Sequence, residues 1–259
     1  MKKAFSVFLG IVLCLTVVFS TVSMTACGDE NVLKIGYTIY APMNYTDDLG
    51  NFVGHDTELA TEVCKRLGYT PEFVEIVWDN KIIELNSYNI DVIWNGMTIT
   101  DELKEAILIS DPYMINQQVI IVDKENADKY NTAADLTKAS KIVFEGGSAA
   151  EFVLNDVSGI DESKKIKAES QAGALMEVGA GTSEVGIIDI TMAMSMIGEG
   201  TNYPDVVYKN IGFPEEEYGV GVRKSDGELL KKINDTLATL KEEGYLTELY
   251  NKYMGGAAE

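Results

Sequence analysis

The chain has 259 residues, enough for one large domain or two lobes of ordinary size. Its formal charge is −20, with 41 acidic side chains against 21 basic ones. That balance disfavours nucleic acid and anionic membrane surfaces as partners, and because it is spread along the chain a solvated surface explains most of it.

The first element in chain order is a leader. Lys2 and Lys3 precede an apolar run from Ala4 to about Val22, and Met24-Thr25-Ala26-Cys27 follows. A charged start, an apolar middle and small residues before a cut site are the marks of a secretory signal. A membrane anchor is the rival reading, since the run is near the lower limit for spanning a bilayer. Small residues leading into Cys27 and then Gly28-Asp29-Glu30 resemble the bacterial lipobox, with Met24 in place of the usual Leu. Residues 1–26 are therefore expected to be a lipoprotein signal peptide. Cys27 is expected to carry the lipid and 27–31 to form a short tether. Cys14 leaves with the signal, so Cys64 is left without an intrachain disulfide partner and reads as a small buried hydrophobe.

Residues 32–37 read as a strand, 41–43 as a turn and 47–51 as a hairpin tip. Asp56 is placed as the N-cap of a helix over 57–67, with Leu59, Ala60, Val63, Cys64 and Leu67 on one face and Gly68 as its stop. A strand at 72–76 follows. Asp79 then caps a short helix with Ile82, Ile83 and Leu85 inward. Residues 90–94 form a buried strand containing Trp94, and 101–106 another short helix. The pattern restarts with strands at 118–122, 141–145, 165–168, 185–189 and 205–208. Helices after Ser148, over 171–178 and over 191–197 alternate with them, and residues 123–137 are polar and turn-like. The chain ends in helices at 227–243 and 245–254. Alternating strands and helices predict an α/β fold with a parallel sheet and helices on both faces. Ligands of such sheets sit beyond the carboxyl ends of the strands.

The chain also carries ordered short pieces. These are Lys34-Ile35-Gly36 with Tyr40-Ala41-Pro42, Val53-Gly54-His55-Asp56, Val77-Trp78-Asp79, and DVIWNGMTIT from Asp91 to Thr100. Ser110-Asp111-Pro112-Tyr113, Gly147-Ser148-Ala149-Ala150-Glu151, Gly181 to Asp189, and Tyr218-Gly219-Val220-Gly221-Val222-Arg223 complete the set. Each is weak alone, but their joint order over 32–254 resembles the extracellular solute-binding proteins of family 3, which serve ABC importers of polar amino acids. The resemblance implies a two-lobed periplasmic-binding-protein-like fold of type II that closes by a hinge. Lobe 1 would be 32–121 plus 217–259, lobe 2 would be 122–216, and 118–122 and 218–222 would be the crossing strands. It also implies an extracytoplasmic protein, lipid-anchored to the cell membrane, that hands a small polar ligand to a membrane permease. That ligand is most simply an amino acid. A monomer without metal or cofactor is expected.

The resemblance further implies a site. Tyr40 and Trp78 match the aromatic rings that hold family ligands, and an aromatic face attracts an ammonium by roughly 0.5–2 kcal/mol. Trp78 beside Asp79 at a helix start is poorly placed for core, whereas Trp94 reads as core and Tyr37 is a weaker candidate. Asp189, directly after an apolar strand, matches the position that takes the α-ammonium, or else simply caps the next helix. The Gly147-Ser148 turn matches the α-carboxylate site, or else is a plain glycine turn. Gly96 and Thr98 match further head-group contacts. One position departs from the pattern: Leu103 stands where the family carries the Arg that pairs with the carboxylate. The carboxylate is then expected to rely on donors at Thr98 and Ser148, with Lys81 and Lys104 nearby. An amine or amino-acid derivative lacking a free carboxylate becomes the alternative ligand.

Other function classes find little support. No nucleophile elbow, zinc motif, phosphate loop or Cys-X-X-Cys occurs. A lyase on the same fold stays an alternative, without identifiable catalytic carboxylates. A receptor input module is disfavoured by the lack of a domain after Gly255. His55, the single His, reads as buried near a helix start, with exposure to the cleft as the alternative. Met192, Met194 and Met196 read as packing rather than metal ligands.

Overall fold

A computed structural model of the chain describes residues 31–255. The expected signal peptide, Cys27 and most of the tether lie outside the described residues. No helix among those described is long and apolar enough to cross a membrane.

In chain order the elements are β1 (Val32–Tyr37), β2 (Tyr45–Thr46), β3 (Phe52–Val53), α1 (His55–Leu67), β4 (Thr70–Glu75), α2 (Lys81–Asn86), β5 (Val92–Thr98), α3 (Asp101–Ala106), β6 (Leu108–Ile109) and β7 (Met114–Asp123). Then come β8 (Ile142–Glu145), α4 (Ala149–Asn155), β9 (Lys165–Ala168), α5 (Gln171–Gly179), β10 (Val185–Asp189), α6 (Ile190–Met196), β11 (Val206–Lys209), β12 (Glu215–Val222), α7 (Gly227–Glu242) and α8 (Tyr245–Met254). The segment from Lys124 to Lys138, expected as turns, contains two 3-10 helices.

The sheet runs β4-β1-β5-β12-β7-β10-β8-β9, with β6 on β12 and β11 on β7. It is mixed, not parallel throughout. The outer runs β4-β1-β5 and β10-β8-β9 are parallel, whereas β12 and β7 pair antiparallel with each other and with their flanks. Antiparallel neighbours need no helical crossover, so strands returning from the far half can enter the middle.

β7 and β12 pair through Met114–Gln117 against Glu215–Tyr218. Beyond that stretch β7 joins β10 and β12 joins β5. The two strands thus cross just N-terminal to each expected crossing segment, and 118–122 and 218–222 end up in opposite halves of the sheet.

Each half buries apolar side chains on both faces. Leu59, Val63, Trp94, Val220 and Ile233 pack on one face of the first half, and Trp78, Leu85, Ile93, Met97 and Leu103 on the other. In the second half Ile120, Ile142, Phe144 and Leu154 pack on one face, and Val143, Leu175, Ile188 and Met192 on the other. Cys64 is fully buried, which pushes its thiol up to about 11 and keeps it protonated at neutral pH.

Three local readings are corrected. Asp79 lies inside a 3-10 turn over Trp78–Asn80, and Asn80, not Asp79, precedes α2 as its N-cap. Helix α1 starts at His55, so Asp56 lies inside its first turn and Gly54 is the N-cap. Asp56 turns inward instead, and its Oδ2 accepts from the Gly96 amide and the Tyr113 hydroxyl, both at 2.7 Å. In α2, Leu85 is buried but Ile83 is 64% exposed. A helix of six residues has one turn to bury, and Lys81 and Leu85 at i and i+4 take the inward face.

Arg223 follows β12 and is buried at the back of the first half. Its Nη1 donates to the carbonyls of Leu85 and Ile90, and its Nη2 to Asp91 Oδ1 at 2.9 Å. Its guanidinium also stacks over Tyr88, 4.3 Å from the ring centre. Removing a buried cation strands its partners. We therefore expect Arg223→Ala to lower unfolding free energy by about 3 kcal/mol, read from urea denaturation; a change within error would show the clamp to be idle.

Candidate functional site

Five of the six ligand-contact candidates line one cavity: Trp78, Gly96, Thr98, Ser148 and Asp189. The cavity is narrow: its volume is about 20 Å³, room for about one water, so a ligand enters only when the two halves stand further apart. Lys81, Asn95, Leu103, Glu145, Phe152 and Gln171 share the lining. Both halves of the sheet contribute, from the carboxyl ends of β5, β8 and β10 and from the turns that follow.

Tyr40 is the exception. It is 1% exposed and does not line the cavity. Its ring backs onto Gly96, where a Cβ would stand 2.8 Å from Tyr40 Cε1 and 3.1 Å from Tyr218 Cε2. Gly96 has φ +59°, so the residue at this point in β5 must be free of both a Cβ and the right-handed preference. The Tyr40 hydroxyl bonds Thr191 Oγ1 and, at 2.8 Å, the Tyr218 hydroxyl. Tyr40 supports the cavity floor and ties the loop after β1 to α6.

Trp78 begins a 3-10 turn, belongs to the apolar cluster of Leu85, Ile93, Met97 and Leu103, and lines the cavity. It is 6% exposed, so contact with a ligand and membership of the core coexist. Trp94 is fully buried. His55 is 2% exposed, with Nδ1 3.0 Å from Asp56 Oδ1 and its ring stacked on Tyr113, which matches the buried reading.

Asp189 ends the apolar strand β10 and is 3% exposed. Burial of a carboxylate demands hydrogen bonds. Asn116 Nδ2 donates to Oδ1 at 2.7 Å, Gln118 Nε2 donates to the same oxygen, and Gln171 Nε2 donates to Oδ2. The Asp189 amide donates in return to Gln171 Oε1 at 2.8 Å. The side chain makes no cap hydrogen bond to α6, so the capping alternative is not what holds it there.

Two further carboxyls accompany it. Glu145 ends β8 as Asp189 ends β10, and is 3% exposed. Burial, and then the nearby Asp189 charge, pushes its carboxyl up to about 8, against the pull of Lys81. Glu216 accepts from Asn116 at 2.5 Å and Gln118 at 2.7 Å, and burial with the Asp189 charge pushes it up as well. Glu145 was missed from the sequence, although its signal is the same as that of Asp189: a carboxylate directly after an apolar strand. Asn116, Gln118 and Gln171 carried no local signal at all.

The Gly147-Ser148 turn closes on the first half of the sheet. A Cβ at Gly147, where φ is +68°, would lie 2.7 Å from Asp79 Oδ1 and 3.0 Å from Asp79 Cα. Within the turn the donors are engaged. Gly147 N–H goes to Glu151 Oε2 at 2.8 Å, and Ser148 N–H and hydroxyl both go to the Glu145 carbonyl, at 3.3 and 2.8 Å. No cluster of three or more His, Cys, Asp or Glu able to hold a metal occurs among the described residues.

The raised Glu145 carboxyl sets a pH dependence. Folded Glu145 keeps its proton up to about pH 8, while the unfolded chain ionises near 4.5. Its contribution to stability is complete below 4.5 and is lost as pH rises through about 8. We expect ligand-free protein to lose stability between about pH 5 and about pH 8 by on the order of a few kcal/mol more than Glu145→Gln does. Urea midpoints of both proteins across that range check this, and parallel curves would contradict it.

The comparisons with known proteins agree with this architecture. The family described as Bacterial extracellular solute-binding proteins, family 3, matches residues 33–256. A relative named "Probable histidine-binding protein" from Neisseria gonorrhoeae is 29% identical, over 85% of this chain and 82% of its own length. The L-cystine-binding protein TcyJ of Escherichia coli is 28% identical, over 83% of this chain and 79% of its own. Among solved structures, an ancestral arginine-binding protein bound to arginine superposes with a TM-score of 0.80 at 32% identity, over 86% of this chain and 98% of that one. The chain belongs to this family, and its fold is that of the type II periplasmic binding proteins.

Proposed function

We propose that this family 3 solute-binding protein captures a free amino acid and delivers it to the permease of an ABC importer. The observation that carries the reading is the Asp189 carboxylate at the cavity wall, beside two carboxyls, Glu145 and Glu216, that burial keeps protonated near neutral pH. Asp189 and Glu145 line the cavity, Glu216 stands behind them, and Lys81 is the single cation in the lining. A buried carboxylate at a solvent-reaching wall favours a cation that can desolvate with it. An α-ammonium meets that need at Asp189, and the Trp78 ring suits a flat or cationic side chain. Relatives named for histidine, cystine, arginine and glutamine support an amino acid as the class.

The two halves of the sheet act as lobes, 32–121 plus 217–259 and 122–216, closing about β7 and β12. A ligand that touches both lobes stabilises the closed form because only that form makes both sets of contacts. A second reading rests on Leu103, which cannot pair with a carboxylate and so admits an amine or a derivative lacking the free acid. The protein works as a monomer, held outside the cell membrane by lipid on Cys27.

Calorimetry of residues 27–259 with L-arginine, L-lysine, L-histidine, L-glutamine and L-cystine tests the ligand class. Trp78→Ala and Asp189→Asn are each expected to weaken the best ligand at least about tenfold, or about 1.4 kcal/mol. Undiminished affinity in both would move the site elsewhere. For the anchor, fatty-acid labelling is expected to mark the wild-type chain and to be lost in Cys27→Ala, and label retained by the variant would refute lipidation at Cys27.

A further inference from the structure

Lys81 is surrounded unlike a surface lysine. It is 6% exposed and lines the cavity. Its Nζ donates to the Gly147 carbonyl at 2.7 Å and the Trp78 carbonyl at 3.3 Å, and stands 4.9 Å from the centre of the Trp78 ring. Both hydrogen-bond acceptors are neutral. Among the described residues it makes no ion pair, whereas Lys167 nearby is paired with Glu151 at 2.8 Å. An ammonium has three N–H donors, so one is left without a protein acceptor. Burial lowers the proton affinity of Lys81 against the pull of Glu145, Asp79, Glu102 and Glu151, none of which bonds it directly, so an anion arriving from outside would supply the contact these groups do not make.

Several competing donors for such an anion are engaged or absent. Ser148 and Gly147 spend their N–H groups inside their own turn. Leu103, 8% exposed, fills its part of the lining with apolar surface. Lys104, the other lysine near that helix, is exposed and pairs with Asp101 at 3.2 Å.

We propose that Lys81 receives the carboxylate of the bound amino acid, so that the cation this family places at the Leu103 position has been relocated to α2. The proposal rests on the amino-acid reading above. A zwitterion entering the cavity then meets Asp189 with its ammonium and Lys81 with its carboxylate, and Leu103 needs no charge. The second reading, a ligand without a free acid, loses its motive.

The test compares acid and amide. Wild type, Lys81→Met, Lys81→Gln and Lys81→Met with Leu103→Arg are titrated with L-arginine, L-argininamide, L-histidine and L-histidinamide, after thermal melts establish which variants fold. Wild type is expected to prefer the better-bound acid over its amide by at least about tenfold. Either single variant should erase most of that preference, and the double variant should restore it. An unchanged acid-to-amide ratio in a folded single variant overturns the proposal. So does an equal loss for acid and amide, because Lys81 would then merely fasten Gly147 to the Trp78 turn. If folded wild type binds neither acid nor amide, nor any amino acid of the wider panel, the amino-acid reading falls first and the role of Lys81 falls with it.

Discussion

The burial of the Asp189 carboxylate is the constraint around which the cavity is organised. A carboxylate at the end of an apolar strand is tolerable only if its oxygens are bonded. Here the donors are three side-chain amides from two elements: Asn116 and Gln118 on β7, and Gln171 at the start of α5. Asn116 and Gln118 also donate to Glu216 on β12. The two strands that pass between the halves of the sheet therefore carry the polar network beneath the site. A displacement of β7 against β12 cannot leave these bonds unchanged, which couples the geometry of the crossing to the charge state of the floor.

Close backbone approach is the second condition. β5 reaches the cavity at Gly96 because Asp56 takes the Gly96 amide and because two tyrosine rings stand where a Cβ would be. The hydroxyls of Tyr40, Tyr113 and Tyr218 are held well above the ordinary tyrosine range by burial and by the charges of Asp189 or Asp56. They stay protonated and act as neutral donors under the site. From the other half, Gly147 comes within contact of Asp79 for the same steric reason. Glycine at both places lets polar backbone, Trp78 and Lys81 converge on a small volume.

The charges of the lining differ in kind. Asp189 has three strong donors, whereas Glu145 receives from Thr38 Oγ1 only at 3.4 Å and holds its proton up to about pH 8. Lys81 is bonded to carbonyls only. One carboxylate is solvated by the protein, one carboxyl is left poorly solvated, and one ammonium is left without a directly bonded carboxylate. A zwitterion would set its ammonium against Asp189 and its carboxylate against Lys81, leaving Glu145 protonated.

Much of the fold was legible from the sequence, because it is written in local chemistry. Apolar runs ending in turn residues located β1, β8, β9 and β10 nearly to the residue, and Gly68 stopped α1 as expected of a residue free to adopt the left-handed conformation. Ordered short motifs identified the family and gathered Trp78, Gly96, Thr98, Ser148 and Asp189 before any coordinates. The mixed sheet, the crossing at Met114–Gln117, the inward turn of Asp56 and the burial of Tyr40 were not legible. Each depends on a partner between 40 and 178 positions away, such as Gly96 for Asp56 and Tyr218 for Tyr40. The sequence by itself thus determined the elements, the family and most of the cavity lining, since hydrophobic period, turn residues and motif spacing act over a few residues. Only the tertiary structure decided which side chains are buried together, and with it the raised carboxyl of Glu145 and the unpaired ammonium of Lys81, because desolvation depends on neighbours in space and not on neighbours in the chain.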